Sequence, residues 1–172
     1  MSCALTTGRA LSVCRDNVGG IKAVYVGDGD SIDSMTASAG AITAITLAAD
    51  KFFFKYDLPK GLSQVTETTT GSRANGTRFT TTEVTLVLHK QDTATRNELK
   101  LLAGSRFYCI VQTQNNDFWF IGKENLCEIS TKTAVTGTAM GDMNGYNLTI
   151  SSEEPEEAYS ISSGVVAGLL DD

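Results

Sequence analysis

The sequence predicts a mainly β chain: an antiparallel β-sandwich or barrel with one short flanking α-helix and a long polar hairpin or loop. Three observations carry that expectation. Threonine supplies 22 of the 172 residues, and with 16 glycines and only 2 prolines the composition favours strands and turns. Several stretches alternate apolar and polar side chains with period two. A single segment carries a full helix-start signal.

Residues 1–40 read as an irregular, glycine-punctuated N-terminal segment holding one short strand, Ile21–Val26. Alternation there places Ile21, Ala23 and Tyr25 on one face, and the acidic turn Gly27-Asp28-Gly29-Asp30 stops it. Residues 41–48 and 51–57 form a further pair of strands, with Phe52, Phe54 and Tyr56 opposite Phe53 and Lys55. Pro59 ends the second, because proline cannot donate to a sheet ladder. Residues 61–78 are polar on both faces and contain the turn signals Gly71-Ser72 and Asn75-Gly76. This excursion is either a mobile loop or a polar hairpin without a core of its own. Phe79–His89 then alternates, with Val84, Leu86 and Leu88 buried and Thr81, Glu83, Thr85, Val87 and His89 opposite.

Thr95-Arg96-Asn97-Glu98 fits a capping box and predicts a helix over 95–103, with Leu99 and Leu102 on one face and Gly104 as a left-handed stop. The strongest strand signal follows. In Arg106–Thr113, Phe107, Cys109 and Val111 alternate with Tyr108 and Ile110, so both faces are apolar, as in the middle of a layered β structure. Phe118–Ile121 returns after a polar turn, Leu126–Thr131 makes a third strand, and Tyr146–Ile150 a fourth. Phe107, Val111, Trp119 and Ile121 are the expected core. Residues 153–172 read as a solvated acidic turn, Glu153-Glu154-Pro155-Glu156-Glu157, and a small apolar tail. A chain of this length supports one core, so residues 1–172 are expected to form a single β domain.

Composition excludes more functions than it suggests. Fourteen Lys and Arg against 20 Asp and Glu give a net charge of −6, the wrong sign for gripping nucleic-acid phosphates. One histidine rules out multi-histidine metal sites. Cys3, Cys14, Cys109 and Cys127 include no C-x-x-C pair, and no secretory signal or spanning segment is expected, so the thiols should be reduced and partly core. His89 has Glu83 on its strand face, but no nucleophile accompanies them. Asp28, Asp30 and Asp33 suggest a calcium loop, yet Ile32 and Asp33 stand where its fifth-position ligand and glycine belong. Gly137, Gly141 and Gly145 lack the lysine of a phosphate loop, and Trp119 as a base-stacking platform sits poorly with an acidic chain. No catalytic residue, cofactor site or metal site is expected.

The order of elements from the helix onward carries a resemblance. It runs through Arg96-Asn97-Glu98-Leu99, Phe107-Tyr108-Cys109-Ile110-Val111, Phe118-Trp119-Phe120-Ile121-Gly122 and Gly141-Asp142-Met143-Asn144-Gly145-Tyr146-Asn147-Leu148-Thr149-Ile150 to Glu153-Glu154-Pro155. This resembles tailed-bacteriophage virion structural proteins, most of all the tail-tube class, over roughly residues 60–155. The resemblance implies a homo-oligomer, a hexameric ring whose inner sheets merge around a DNA conduit, in a tail tube or a neck or tail-adaptor ring. It also implies adjacent tail or connector proteins as partners, passage of DNA without specific binding, no membrane, and a virion location after assembly in the host cytoplasm. On that reading the excursion bridges subunits, which makes Leu62, Val65, Thr68, Arg73 and Arg78 the expected assembly residues and Glu83 the expected lumen residue. A capsid decoration or binding module is the alternative, and an enzyme the third reading.

Overall fold

The structure, a computed structural model, describes residues 7–11 and 13–171. In chain order these form Ile21–Asp28 (β1), Ile32–Ser38 (β2), Ala41–Leu47 (β3), Phe54–Asp57 (β4), Gln64–Ser72 (β5), Thr77–His89 (β6), Thr93–Gly104 (α1), Phe107–Thr113 (β7), Phe118–Ile121 (β8), Glu128–Val135 (β9), Gly145–Glu154 (β10), Tyr159–Ile161 (β11) and Ser163–Ala167 (α2). Two sheets result, one of seven strands in the order β2-β3-β11-β8-β7-β1-β4 and one of four in the order β5-β6-β10-β9. All pairs are antiparallel except β11 with β3. Both sheets keep open edges, so the architecture is a sandwich and not a closed barrel.

The doubly apolar strand β7 lies inside the larger sheet, beside β1, as its pattern requires. Phe107, Cys109 and Val111 join Val24, Val26 and Ile121 in a core shared with Val84, Leu86, Leu148 and Ile150 of the smaller sheet. Ile110, on the other face, joins Ala23, Tyr25, Phe118 and Phe120 in a second core. That second core is closed by Ile42 from β3, Val166 from α2, and by Phe53 and Leu169. Gly27 is needed here for close approach: a Cβ on it would lie 2.6 Å from the Phe53 ring.

Several expectations are corrected. Residues 21–38 are not irregular, because β1 and β2 occupy them. Ile21 does not share a face with Ala23 and Tyr25; a bulge between Ile21 and Ala23 shifts the phase and turns Ile21 into the first core. The helix starts at Thr93 and not Thr95, because Asp92 is the cap and its carboxylate accepts from the Thr95 amide at 2.7 Å. Gly104 stays within the helix and the chain leaves through Ser105 in extended conformation. Leu99 is buried and Leu102 packs on the first core, as expected.

The 61–78 excursion is a hairpin, and most of it belongs to the sheet. Gln64–Thr69 pair with Thr80–Thr85 of β6, whose other side pairs with β10. Only the tip projects past the last β10 pair, Glu154 with Thr80. One face does touch a core, since Val65 packs against the first one. Strand β10 runs to Glu154, so the acidic segment breaks later than expected. Glu154 is not solvated: it is buried and accepts from the amides of Glu124 at 3.1 Å and Asn125 at 2.9 Å, pinning the turn after β8. The third central strand is also displaced: β9 begins at Glu128 and joins the smaller sheet, leaving a lone bridge between Phe107 and Cys127.

Trp119 is the core residue placed wrongly. It stands on the Ile121 side of β8 but at the margin of the first core, 39% exposed, whereas Phe120 is fully buried in the second. Phe120→Ala should therefore cost about 3–5 kcal/mol. Trp119→Ala should cost less than half as much in the same denaturant titration. A larger loss for Trp119→Ala than for Phe120→Ala would mean that β8 faces the other way.

Candidate functional site

Of the segments that carry the resemblance, Gly141–Ile150 has a structural role at its start. The Asp142 carboxylate accepts from the amides of Thr138 and Ala139, both at 2.8 Å, and closes the loop after β9. The Lys90 amide donates to the Asn144 carbonyl at 2.7 Å. Gly145 sits so close to β6 that a Cβ would come within 2.1 Å of the Leu88 carbonyl oxygen. These residues hold the long β6–β10 ladder in register.

Other candidates for chemistry dissolve in the same way. Lys51 Nζ lies 3.3 Å from Asp28 and 3.0 Å from Asp30, so one lysine already bridges the two carboxylates of the acidic turn. Among the described residues, no three His, Cys, Asp or Glu side chains gather as a metal site. His89 is exposed at the end of β6, opposite Gly145. Cys109 and Cys127 are buried free thiols, and Cys127 is pushed well above the usual thiol range by its hydrogen bond to Cys109 and by burial. Such a thiol is not a nucleophile at neutral pH. Cys14 is exposed, and Cys3 lies outside the described residues.

What remains is a surface. Because β6 is covered by the core on one side only, its outward positions align with those of its neighbours across the sheet. Thr66, Thr68 and Thr70 of β5 stand beside Glu83, Thr81 and Phe79 of β6. Thr85 and Val87 stand beside Thr149 and Asn147 of β10, followed by Thr131 and Thr133 of β9. Glu83 is exposed, and Ser151 of β10 separates it from Glu128 of β9, with Glu153 next along β10. The outward strand positions thus carry three carboxylates, Glu83, Glu128 and Glu153, and neither lysine nor arginine. These three line a groove of about 710 Å³ with Glu124, and Arg106 stands on its wall.

The expected assembly residues are scattered along the hairpin. Leu62 is exposed before β5, Thr68 is exposed on the outward face, Arg73 is in the tip turn, and Arg78 pairs with Gly71 at the tip. Val65 points the other way, into the core. Leu62 and Arg73 lie at opposite ends of β5, about 30 Å apart. Glu153 escaped the sequence reading because its strand was ended at Ile150, and Glu128 because its strand, Leu126–Thr131, was set beside Phe118–Ile121 and not in the smaller sheet. Continuing the Asn147, Thr149 alternation to residue 153 would have found Glu153.

Against protein-family models, curated proteins and solved structures, the chain matches none. No helix among the described residues is long and apolar enough to cross a membrane.

The exposed carboxylates that cap or pair inside the chain set an acid limit. Lys51 holds Asp30 below the usual carboxylate range; the Thr95 amide does so for Asp92, and the Ala139 and Thr138 amides for Asp142. A lowered folded-state value stabilises the fold above the unfolded value, about 3.9, and that stabilisation disappears as pH falls through the folded value. Melting temperature should thus be flat from about pH 7 to 5 and fall below about pH 4. The acid limb of Asp142→Asn should be shallower than that of the parent; identical limbs would remove Asp142 from the account.

Proposed function

We propose that this protein is a ring-forming structural subunit of a tailed-phage virion, with the outward face of its four-stranded sheet turned to the hole through which DNA passes. The observation that carries the reading is the chemistry of that face. It is broad, rich in threonine, serine and asparagine, and bears three carboxylates without a cation among its outward strand positions. Proteins hold DNA by placing lysine and arginine against phosphates and releasing counterions. A wall without them gives the duplex nothing to grip, while hydroxyls keep it wetted. Repulsion among carboxylates repeated around a hole is screened within about 10 Å at 0.1 M salt, so such a wall is compatible with assembly. The sandwich with a helix on its flank is also the architecture that the sequence resemblance implies, although only the tip of the hairpin reaches beyond the sheet.

Electron microscopy of the purified protein should find rings or short tubes with a central hole. Particles without a hole favour the decoration reading instead. A charge test probes the wall directly. Glu83→Lys with Thr149→Lys should make the assembled protein retard duplex DNA in low-salt electrophoresis, while the parent leaves it unshifted. A parent that itself retards DNA, or a hole lined with Lys and Arg, overturns the conduit.

A further inference from the structure

The four-stranded sheet has two open edges, β5 and β9, and each carries one charged side chain at a position of core-facing parity. Glu67 on β5 pairs with Thr82, and Lys132 on β9 pairs with Leu148. Inward charge on an edge strand is a known defence against indiscriminate pairing, since a random partner would bury it. Here the two charges have opposite signs. We infer that β9 of one copy pairs with β5 of a second copy in a single register, Thr131–Val135 against Gln64–Thr68, with Lys132 opposite Glu67. The inference rests on the ring reading in taking a second copy as the partner.

Four independent features agree with that register. Neighbouring strands alternate in direction and the sheet has an even number of them, so β9 and the incoming β5 run antiparallel without any rearrangement. Opposite residues then share a face, as they must. Thr131 and Thr133 meet Thr68 and Thr66 on the outward side, while Ala134 meets Val65 and Lys132 meets Glu67 on the inward side. Glu67 already accepts from the Ala158 amide at 2.6 Å and the Thr82 hydroxyl at 3.5 Å, both through Oε1, so Oε2 can accept from the lysine.

The third feature is the stagger. Through the ladders, Thr131 stands level with Thr85, and Thr68 level with Thr81. Joining them displaces each copy by four residues, about 13 Å, over four strands, about 19 Å. Strands inclined by about 35° to the ring axis give a flat closed ring at that displacement, which is within the range of closed barrels. The hand is also right. Lys90 donates to Asn144, so even-numbered, core-facing residues of β6 aim their amides at β10. For L-residues this puts β10 to the right of an upward β6 seen from the core, and the staircase then leans the strands rightward, with the natural twist.

The fourth is charge. The same register carries the tip of the incoming hairpin, with Arg73 and Arg78, past the start of β9 and beside Glu128 and Glu124 in the acidic groove.

Charge reversal and cross-linking test the register. Glu67→Lys alone and Lys132→Glu alone should each weaken self-association about tenfold per interface in sedimentation equilibrium, and the double reversal should restore it. Because Glu67→Lys also removes the acceptor for Ala158, a second measurement uses outward positions. With Cys3 and Cys14 replaced by Ser, Thr68→Cys with Thr131→Cys should give a ladder of disulfide-linked multimers under copper-phenanthroline. Thr68→Cys with Thr133→Cys should give none. Within one copy two strands separate these positions, so only a second copy can close the bond. Rings with a central hole but no ladder, or equal ladders from both variants, would overturn the register and leave the conduit standing. A parent that is monomeric at all concentrations would overturn both.

Discussion

A sheet that is apolar on both faces must be covered twice, and the rest of this fold follows from how the covering is done. The β1–β7 pair presents Val24, Val26, Cys109 and Val111 to one side and Ala23, Tyr25 and Ile110 to the other. The four-stranded sheet covers the first side. No comparable sheet covers the second; β3, α2, Phe53 and the C-terminal Leu169 do it piecemeal. Burial of this kind, at about 25 cal/mol per Å² of apolar surface, is the term that orders the chain.

The asymmetry of covering decides which surface is left for function. A sheet that serves as a lid uses one face and leaves the other to solvent, and that face can take almost any polar composition without cost to the core. Strands β5, β6, β9 and β10 use the freedom for threonine, serine, asparagine and three carboxylates. Four of the six buried polar side chains among the described residues lie where the lid extends past the apolar core, Ser31 and Ser63 being the others. Thr80, Thr82, Ser152 and Glu154 are buried near the hairpin end, and Glu154 is held by backbone amides rather than by a cation. Satisfied in this way, a carboxylate can anchor a turn inside the fold.

Edges are the remaining constraint. A sandwich that does not close leaves backbone donors and acceptors along its outer strands, and such edges need either a defence or a partner. Glu67 and Lys132 can act as both. Alone, each opposes pairing with an apolar strand; facing each other, they favour one register. In the proposed ring, the device that keeps the subunit from aggregating is also the device that aligns it.

By itself the sequence determined strands β1, β3, β6, β7, β8 and β10 and the helix α1, but not β2, β11 or α2; period-two alternation, apolar segments such as Phe107–Val111 and local turn signals act over only a few residues. It also placed Glu83 outward and Val84, Leu86 and Leu88 inward. Tertiary structure alone decided the rest. Bulges are invisible to alternation, so Ile21 changed faces; capping depends on backbone geometry, so Asp92 replaced Thr95. Trp119 belongs to a strand of the right kind but lies where the lid ends, and coverage is set by the second sheet, not by the residue. The wall formed by Glu83, Glu128 and Glu153 joins residues up to 70 positions apart, and only the ladders of β6, β10 and β9 bring them to one face.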